Sequence, residues 1–249
     1  MFCLFLCGNT TKLSKYLVEH KKNYIATLEL GKKSDTGDIE GNIVEEKEIP
    51  KNALEEKYIR DILNSFLGVQ TQIPPIYSAI KVNGKKLYEY AREGKKVEIP
   101  KRQIEIYYIK LLDIKITEIT FEVQCSKGTY IRTLCEDIAK KLGTVGYMKK
   151  LQRTMVDKFS IEKAITFEEL EDNQGNIKWL EDNSYTMEEI LKDLPKIELE
   201  ERKKELFLNG VRLTKKENDG LYNIYCNQMY LGTGIIEKNL LKRDIILQN

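Results

Sequence analysis

From Cys125 to Leu134 the chain reads Cys-Ser-Lys-Gly-Thr-Tyr-Ile-Arg-Thr-Leu, and this stretch brings together the residue types best suited to chemistry. Arg132 supplies a permanent, planar cation, and Tyr130 a ring with a polar tip. The spacing predicts a strand running into a Lys127-Gly128 turn and then an amphipathic helix. Strand-to-helix junctions present backbone N–H groups and side chains to ligands. A cation in the first helical turn opposes the positive end of the helix dipole. Arg132 therefore implies an anionic partner, a carboxylate or a phosphate, or else is an ordinary surface arginine. Tyr24, Tyr77, Tyr88 and Tyr130 all lie near basic residues. Interleaved rings and cations are what base stacking and phosphate contact require; the alternative for each ring is a half-buried packing role.

Other chemistries find little support. His20 is the one histidine, which weakens any Ser-His-Asp, Cys-His or multi-histidine metal arrangement; it is expected to be solvated near a helix end. The five cysteines, Cys3, Cys7, Cys125, Cys135 and Cys226, form no Cys-x-x-Cys pair, and their odd number argues against a disulfide framework. No glycine-rich phosphate loop is present, so a nucleotide cofactor has no support, and no cofactor is expected. The apolar opening Met1–Cys7 is far shorter than a membrane span and reads as a buried strand. No other apolar run approaches spanning length, and the chain is read as cytoplasmic.

With 249 residues and an apolar fraction of 41%, the chain is long enough for one large domain, or one domain and a small appendage. Its 41 basic and 39 acidic residues nearly cancel, but they are unevenly placed. Residues 79–102 and 127–153 are basic, whereas 162–201 are strongly acidic. Such a chain can present a positive face to a polyanion while staying near neutral overall; solvated helix faces are the alternative.

The elements that must position Arg132 and Tyr130 follow from periodicity. Leu13, Tyr16, Leu17 and His20 have helical spacing. Tyr24–Leu30 alternates as a strand ending at Gly31, and a loop rich in turn formers fills 32–41. Asn52 and Glu55 predict a cap for a helix carrying Leu54, Tyr58, Ile59, Ile62, Leu63 and Phe66, closed by Gly68. Ile73-Pro74-Pro75 must be extended. Residues 104–116 and 119–125 read as an antiparallel pair. The helix of about 130–142 buries Ile131, Leu134, Ile138 and Leu142 and ends at Gly143. Residues 162–194 suggest two helices. Beyond Pro195 the pattern shifts to short strands, with turns at Asn209-Gly210 and Asn218-Asp219-Gly220.

These blocks resemble the bacterial tRNA pseudouridine synthase B family. The likeness rests on Ser126–Leu134 and on Ile73-Pro74-Pro75-Ile76-Tyr77-Ser78-Ala79-Ile80-Lys81 continuing through Gly84-Lys85-Lys86-Leu87-Tyr88-Glu89-Tyr90-Ala91-Arg92. It rests also on Tyr24 followed by Leu30–Gly41, with Ser34 where threonine is usual, and on Gly8-Asn9-Thr10-Thr11-Lys12-Leu13. The resemblance covers residue 8 to about 160 and implies an α+β fold with a mainly antiparallel sheet flanked by helices. It implies a catalytic-type domain over 1–194, incomplete at its N-terminus, and a small PUA-like RNA-binding β domain over 195–249. The second match is carried by Leu208–Leu213. The implied reaction is isomerisation of uridine 55 in the T loop of tRNA, with the base extruded from its stack. A monomer bound to the tRNA T stem-loop, with neither membrane nor nucleotide cofactor, is implied as well. Carried over by position, Tyr24 stacks on the base and takes part in proton transfer. Arg132 partners the nucleophilic aspartate, Tyr130 and Leu151 line the base pocket, and Lys81 and Arg92 contact phosphate or support the fold.

The family's nucleophile sits in a Gly-Thr-Leu-Asp-Pro sequence ahead of the Gly-x-Ala-Thr-Lys stretch. The 249 residues contain no such sequence. The expectation is therefore an N-terminally truncated copy in which Arg132 lacks its carboxylate and turnover is nearly lost. Asp35 and Asp38 lie in a different block and are not nucleophile candidates. The missing strands are expected to leave an exposed sheet edge and uncovered core. The alternative function is a catalytically silent protein that binds or remodels tRNA.

Overall fold

A computed structural model describes residues 2–17 and 21–247. His20 lies outside the described residues. The chain divides into two compact units, Met1–Leu4 with Glu19–Ala164, and Phe5–Val18 with Ile165–Asn249. The first helical elements, a 3-10 turn at Gly8–Leu13 and α1 (Ser14–Leu17), belong to the second unit.

The larger unit is built on β1 (Lys22–Leu30), β2 (Lys32–Ser34), β3 (Ile43–Glu46), α2 (Glu56–Asn64), β4 (Gly68–Gln72), β5 (Lys81–Val82), β6 (Lys85–Lys86) and α3 (Leu87–Arg92). They are followed by β7 (Arg102–Lys115), β8 (Glu118–Cys125), α4 (Ile131–Lys141), β9 (Gly146–Val156) and β10 (Phe159–Ser160). Six strands form one antiparallel sheet in the order β10-β9-β1-β8-β7-β4. Strict alternation in β8 buries Ile119, Phe121, Val123 and Cys125 on one face. Ala26 and Leu28 of β1 lie opposite Phe121 and Ile119 on that same face. The stripe Ile131, Leu134, Ile138 of α4 and Ile59, Leu63 of α2 completes the core against it. Each such side chain withdrawn from water contributes roughly 1.5–3 kcal/mol. Packing is close at Gly146, where an added Cβ would meet Leu28 Cδ1 at 2.7 Å and Ala139 Cβ at 2.8 Å.

The second unit holds α5 (Phe167–Asp172), α6 (Ile177–Asp182), α7 (Met187–Ile190), β11 (Lys196–Glu198), α8 (Glu201–Leu208), β12 (Leu213–Thr214), β13 (Gly220–Cys226), β14 (Met229–Glu237) and β15 (Leu240–Ile246). Its sheet runs β11-β13-β14-β15-β12 over a core of Ile197, Phe207, Ile224, Leu231, Ile236 and Leu241. Asp244 on β15 is held by Lys15, by the Tyr16 hydroxyl and by Thr233 Oγ1 at 3.0 Å, tying α1 to this sheet.

The protein is thus α+β, with a long antiparallel sheet and a separate small sheet. Several local expectations change. Residues 2–7 form no strand: Phe2 is buried, Phe5 is 70% exposed, and the Phe2 carbonyl is satisfied by the Arg153 guanidinium rather than by a ladder. Asn52 lies inside a 3-10 turn (Lys51–Leu54) that follows Pro50, so the helix begins later, capped by Glu55 without a side-chain bond. Gly68, at φ +85°, opens β4 instead of closing the helix. The acidic segment forms three short helices, each with its own Thr or Asn cap at Thr166, Asn176 and Thr186. Helix α8 buries only Phe207 and so carries no periodic apolar stripe that would announce it.

Candidate active site

The turn after β8 sets the start of α4. Gly128 takes φ +78°, Thr129 Oγ1 donates to the Ser126 carbonyl at 2.9 Å, and Ser126 Oγ accepts from the Glu105 N–H at 2.9 Å. Tyr130 is the N-cap and Arg132 lies in the first turn. The Arg132 guanidinium does not point into bulk solvent. Nη1 donates to Asp38 Oδ2 at 3.1 Å and to the Thr36 carbonyl at 3.2 Å, and Nη2 to the Tyr77 carbonyl at 2.8 Å. Arg132 thus meets a carboxylate, that of Asp38, which is not the nucleophilic aspartate that the resemblance implies. Both side chains are about one-fifth exposed, 22% and 20%, so the pair is only partly screened.

The Asp38 carboxylate is aimed by its own loop. Thr36 Oγ1 donates to Oδ1 at 2.6 Å and the Glu40 N–H to the same oxygen at 3.3 Å, leaving Oδ2 for Arg132. Ser34 Oγ donates to the Asp38 carbonyl at 2.6 Å, and the Met148 N–H of β9 to the Gly37 carbonyl at 3.0 Å. Gly37 sits at φ +77°, a left-handed conformation that glycine adopts without strain. One helical turn beyond Arg132, burial raises the Glu136 carboxyl above its ordinary range, with Lys33 and Arg132 pulling the other way.

Tyr24 lies across from Val123 of β8 and Arg153 of β9, on the sheet face that carries Ala26 and Leu28, and its ring packs against the core. Burial raises its phenol above the usual value, and the Arg153 guanidinium beside it works against that shift. Leu151, two residues before Arg153, lies opposite Ala26 and is 43% exposed, an apolar side chain left on the surface. The parallel bridge between Asp38 and Met148 anchors the Asp38 loop to this same stretch of β9. Tyr24 and Leu151 thus lie on neighbouring strands, and Arg132 is joined to the second of these through Asp38. Tyr130 is half-buried two residues ahead of Arg132.

Lys81 sits apart, exposed in the β5–β6 hairpin opposite Lys86. Among the described residues no hydrogen bond or ion pair joins it to Arg132, Tyr24, Tyr130 or Leu151. The hairpin is still a cationic, aromatic surface. Lys86 Nζ and Arg92 Cζ each lie 5.4 Å from the Tyr88 ring centroid, and Lys85 Nζ lies 5.2 Å from that of Tyr90. Its base is tied to segment 73–80, whose Tyr77 carbonyl accepts from Arg132, by bonds from the Leu87 N–H to the Ile80 carbonyl and the Tyr88 N–H to the Ser78 carbonyl. Among the described residues, Ser78 Oγ is buried there without a hydrogen-bond partner.

Sequence reasoning did not identify Asp38, Thr36 or Arg153 as members of the site. Asp38 was read only as part of the turn-rich Leu30–Gly41 block and set aside as a nucleophile. Among the described residues no cluster of His, Cys, Asp and Glu is placed to hold a metal, and no helix is long and apolar enough to cross a membrane.

The profile described as TruB family pseudouridylate synthase (N terminal domain) matches residues 3–131, and that of the tRNA pseudouridylate synthase B C-terminal domain matches 132–197. The tRNA pseudouridine synthase B of Francisella tularensis subsp. novicida (strain U112) is 38% identical over 248 residues, covering 96% of this chain and 81% of the relative. That of Francisella philomiragia subsp. philomiragia is 39% identical over 248 residues with the same coverage. Among solved structures, an archaeal box H/ACA sRNP Nop10-Cbf5 complex aligns with a TM-score of 0.64 at 20% identity, covering 96% of this chain and 70% of that one. A Cbf5-Nop10-Gar1 complex gives 0.61 at 22% identity, covering 91% and 63%. At these identities the structural likeness establishes the fold, and the sequence matches establish the kinship. The chain belongs to the TruB family of pseudouridylate synthases.

Proposed function

We propose that this protein acts on tRNA as its relatives' names state, binding the T stem-loop and presenting uridine 55 for isomerisation to pseudouridine. The observation that carries this reading is the Arg132–Asp38 pair at the start of α4, beside the strand pair that holds Tyr24 and Leu151. The target base leaves its stack, since its reacting atoms are otherwise inaccessible. Tyr24 stacks on the extruded ring, and Tyr130 and Leu151 close the pocket around it. Tyr24 also takes part in proton transfer, and burial raises its phenol above the ordinary value. Arg132, already anchored by Asp38 and two carbonyls, offers its remaining donor capacity to a nucleophilic aspartate and keeps that carboxylate ionised. Attack of that carboxylate at C1′ forms a C1′–O bond and breaks the C1′–N1 bond, freeing the base as its N1 anion. The base rotates, C5 bonds to C1′ and displaces the carboxylate, the C5 proton is lost and N1 takes up one proton. The bond changes balance without a cofactor. Lys81 and the cationic hairpin around Tyr88 contact RNA phosphates.

Residues 195–249, whose sheet begins at Lys196, serve in this reading as a small RNA-binding domain beside a catalytic-type domain over 1–194. The protein works as a cytoplasmic monomer. These 249 residues hold no Gly-Thr-Leu-Asp-Pro sequence. A second reading is favoured by that same observation: the 249-residue polypeptide binds tRNA without turning it over. One preparation tests both. Filter binding of a T-arm RNA hairpin is expected to be saturable, and tritium release from tRNA labelled at uridine C5 is expected to be nearly absent. Failure to prefer the hairpin over an unrelated hairpin of equal length refutes the RNA assignment. Turnover close to that of a relative refutes the silence of this polypeptide.

A further inference from the structure

Gln72, the last residue of β4, is only 4% exposed. A buried primary amide must place both its donor and its acceptor. Gln72 places both on one residue: Oε1 accepts from the Tyr130 N–H at 2.8 Å, and Nε2 donates to the Tyr130 carbonyl at 3.0 Å. The side chain thereby imitates a neighbouring strand, closing a two-point clamp on a single backbone position. Tyr130 has no side-chain capping bond of its own, and its carbonyl also receives the first helical bond, from the Leu134 N–H at 3.1 Å. Segment 73–80, which follows β4, touches α4 twice more. The Ile73 carbonyl accepts from Thr133 Oγ1 at 3.4 Å and the Tyr77 carbonyl from Arg132 Nη2 at 2.8 Å. Those two contacts reach side chains; of the three, only the Gln72 clamp grips the backbone.

We propose that Gln72 is a positioning residue for the modification site. It fixes φ and ψ of Tyr130, which sets the direction of the Tyr130 ring and the phase of the helical turn that carries Arg132. It acts through Tyr130 and does not touch the base. The inference deepens the proposed function and rests on it for the role of Tyr130. The chemistry of the side chain limits substitution. Methionine fills a similar volume but offers neither donor nor acceptor. Glutamate can still accept from the Tyr130 N–H but turns a lone pair toward the Tyr130 carbonyl.

The test compares the 249-residue chain with Gln72→Met and Gln72→Glu by two readouts. The first is amide hydrogen exchange at Tyr130 in the free protein. The second is the fluorescence of a T-arm RNA hairpin carrying 2-aminopurine at the target position, measured at saturation so that a smaller folded fraction does not alter it. Gln72→Met is expected to speed Tyr130 exchange by about tenfold or more while central-strand amides of β8 stay protected. It should also abolish the fluorescence change of the bound hairpin. Gln72→Glu should restore part of both. A Tyr130 amide as protected in Gln72→Met as in the parent overturns the proposal, and so does an equal fluorescence change at saturation. A parent chain that leaves the hairpin's fluorescence unaltered refutes the pocket role of Tyr130, and the exchange arm then decides the clamp by itself.

Discussion

Replacing Arg132 tests whether the site holds together as the geometry requires. The guanidinium serves three acceptors, Asp38 Oδ2, the Thr36 carbonyl and the Tyr77 carbonyl. Exposed ion pairs are worth ~0–1 kcal/mol, whereas removing one partner of a buried pair costs ~3–5 kcal/mol. Exposures of 22% and 20% place this pair between those limits, at about 2 kcal/mol. Two carbonyl bonds add roughly 0.5 kcal/mol each at the lower end of the usual range. Arg132→Met should therefore destabilise the larger unit by about 3 kcal/mol, which for a chain of this size lowers Tm by roughly 6–12 °C. Asp38→Asn keeps the size of the side chain but turns one acceptor oxygen into an NH2 donor, so it loses the charge and the bond from Arg132 Nη1, and should cost about 1–2 kcal/mol. The decisive quantity is the coupling in a double-mutant cycle, measured by urea unfolding. A coupling of about 1–2 kcal/mol is expected, because the two side chains share one contact. Additive effects, within about 0.3 kcal/mol, would refute the claim that Asp38 holds Arg132.

Three further outcomes follow from other parts of the structure. Tyr24→Phe should keep T-arm hairpin affinity, whereas Tyr24→Leu should weaken it by about 1–3 kcal/mol through loss of stacking, read by filter binding; equal affinities would deny the ring that role. Gly146→Ala should cost about 1–3 kcal/mol in thermal unfolding, because its Cβ meets Leu28 and Ala139 inside contact distance; an unchanged Tm would show that β9 and α4 yield freely. On Asp244, burial acts to raise the pKa, but the bonds from Lys15, Tyr16 and Thr233 outweigh it and the net shift is downward. Its stabilising contribution is therefore complete above the unfolded carboxylate value of about 4 and lost as pH falls through the lower folded value. The stability gap between the parent and Asp244→Asn should be constant from neutral pH to about 5 and close in stronger acid; a gap that widens in acid would contradict the network.

Much of the larger unit was legible because its signals are periodic. The alternation of Ile119, Phe121, Val123 and Cys125, and the stripe Ile131, Leu134, Ile138, each point to one buried face, and the structure buries them there. The junction at Tyr130 and Arg132 was legible from a cation set against a helix dipole, which demanded an anion. The identity of that anion was not legible. Asp38 reaches Arg132 across 94 positions of sequence, and only the fold of the Ser34–Gly41 loop against β9 brings them together. Helix α8 escaped detection because it buries a single residue, and the first residues were misread because an apolar run has no period to tell strand from irregular chain. Gln72 is silent in sequence, since its function lies in two bonds to a backbone 58 positions away.

The central claim is that Arg132, held by Asp38, stands ready to orient a second carboxylate. The most direct measurement joins the chain at its N-terminus to a relative's segment bearing Gly-Thr-Leu-Asp-Pro and follows tritium release from tRNA labelled at uridine C5. The extended chain should turn over, and the same chain with Arg132→Met should bind the T-arm hairpin yet release almost no tritium. Undiminished release by the Arg132→Met protein would contradict the account.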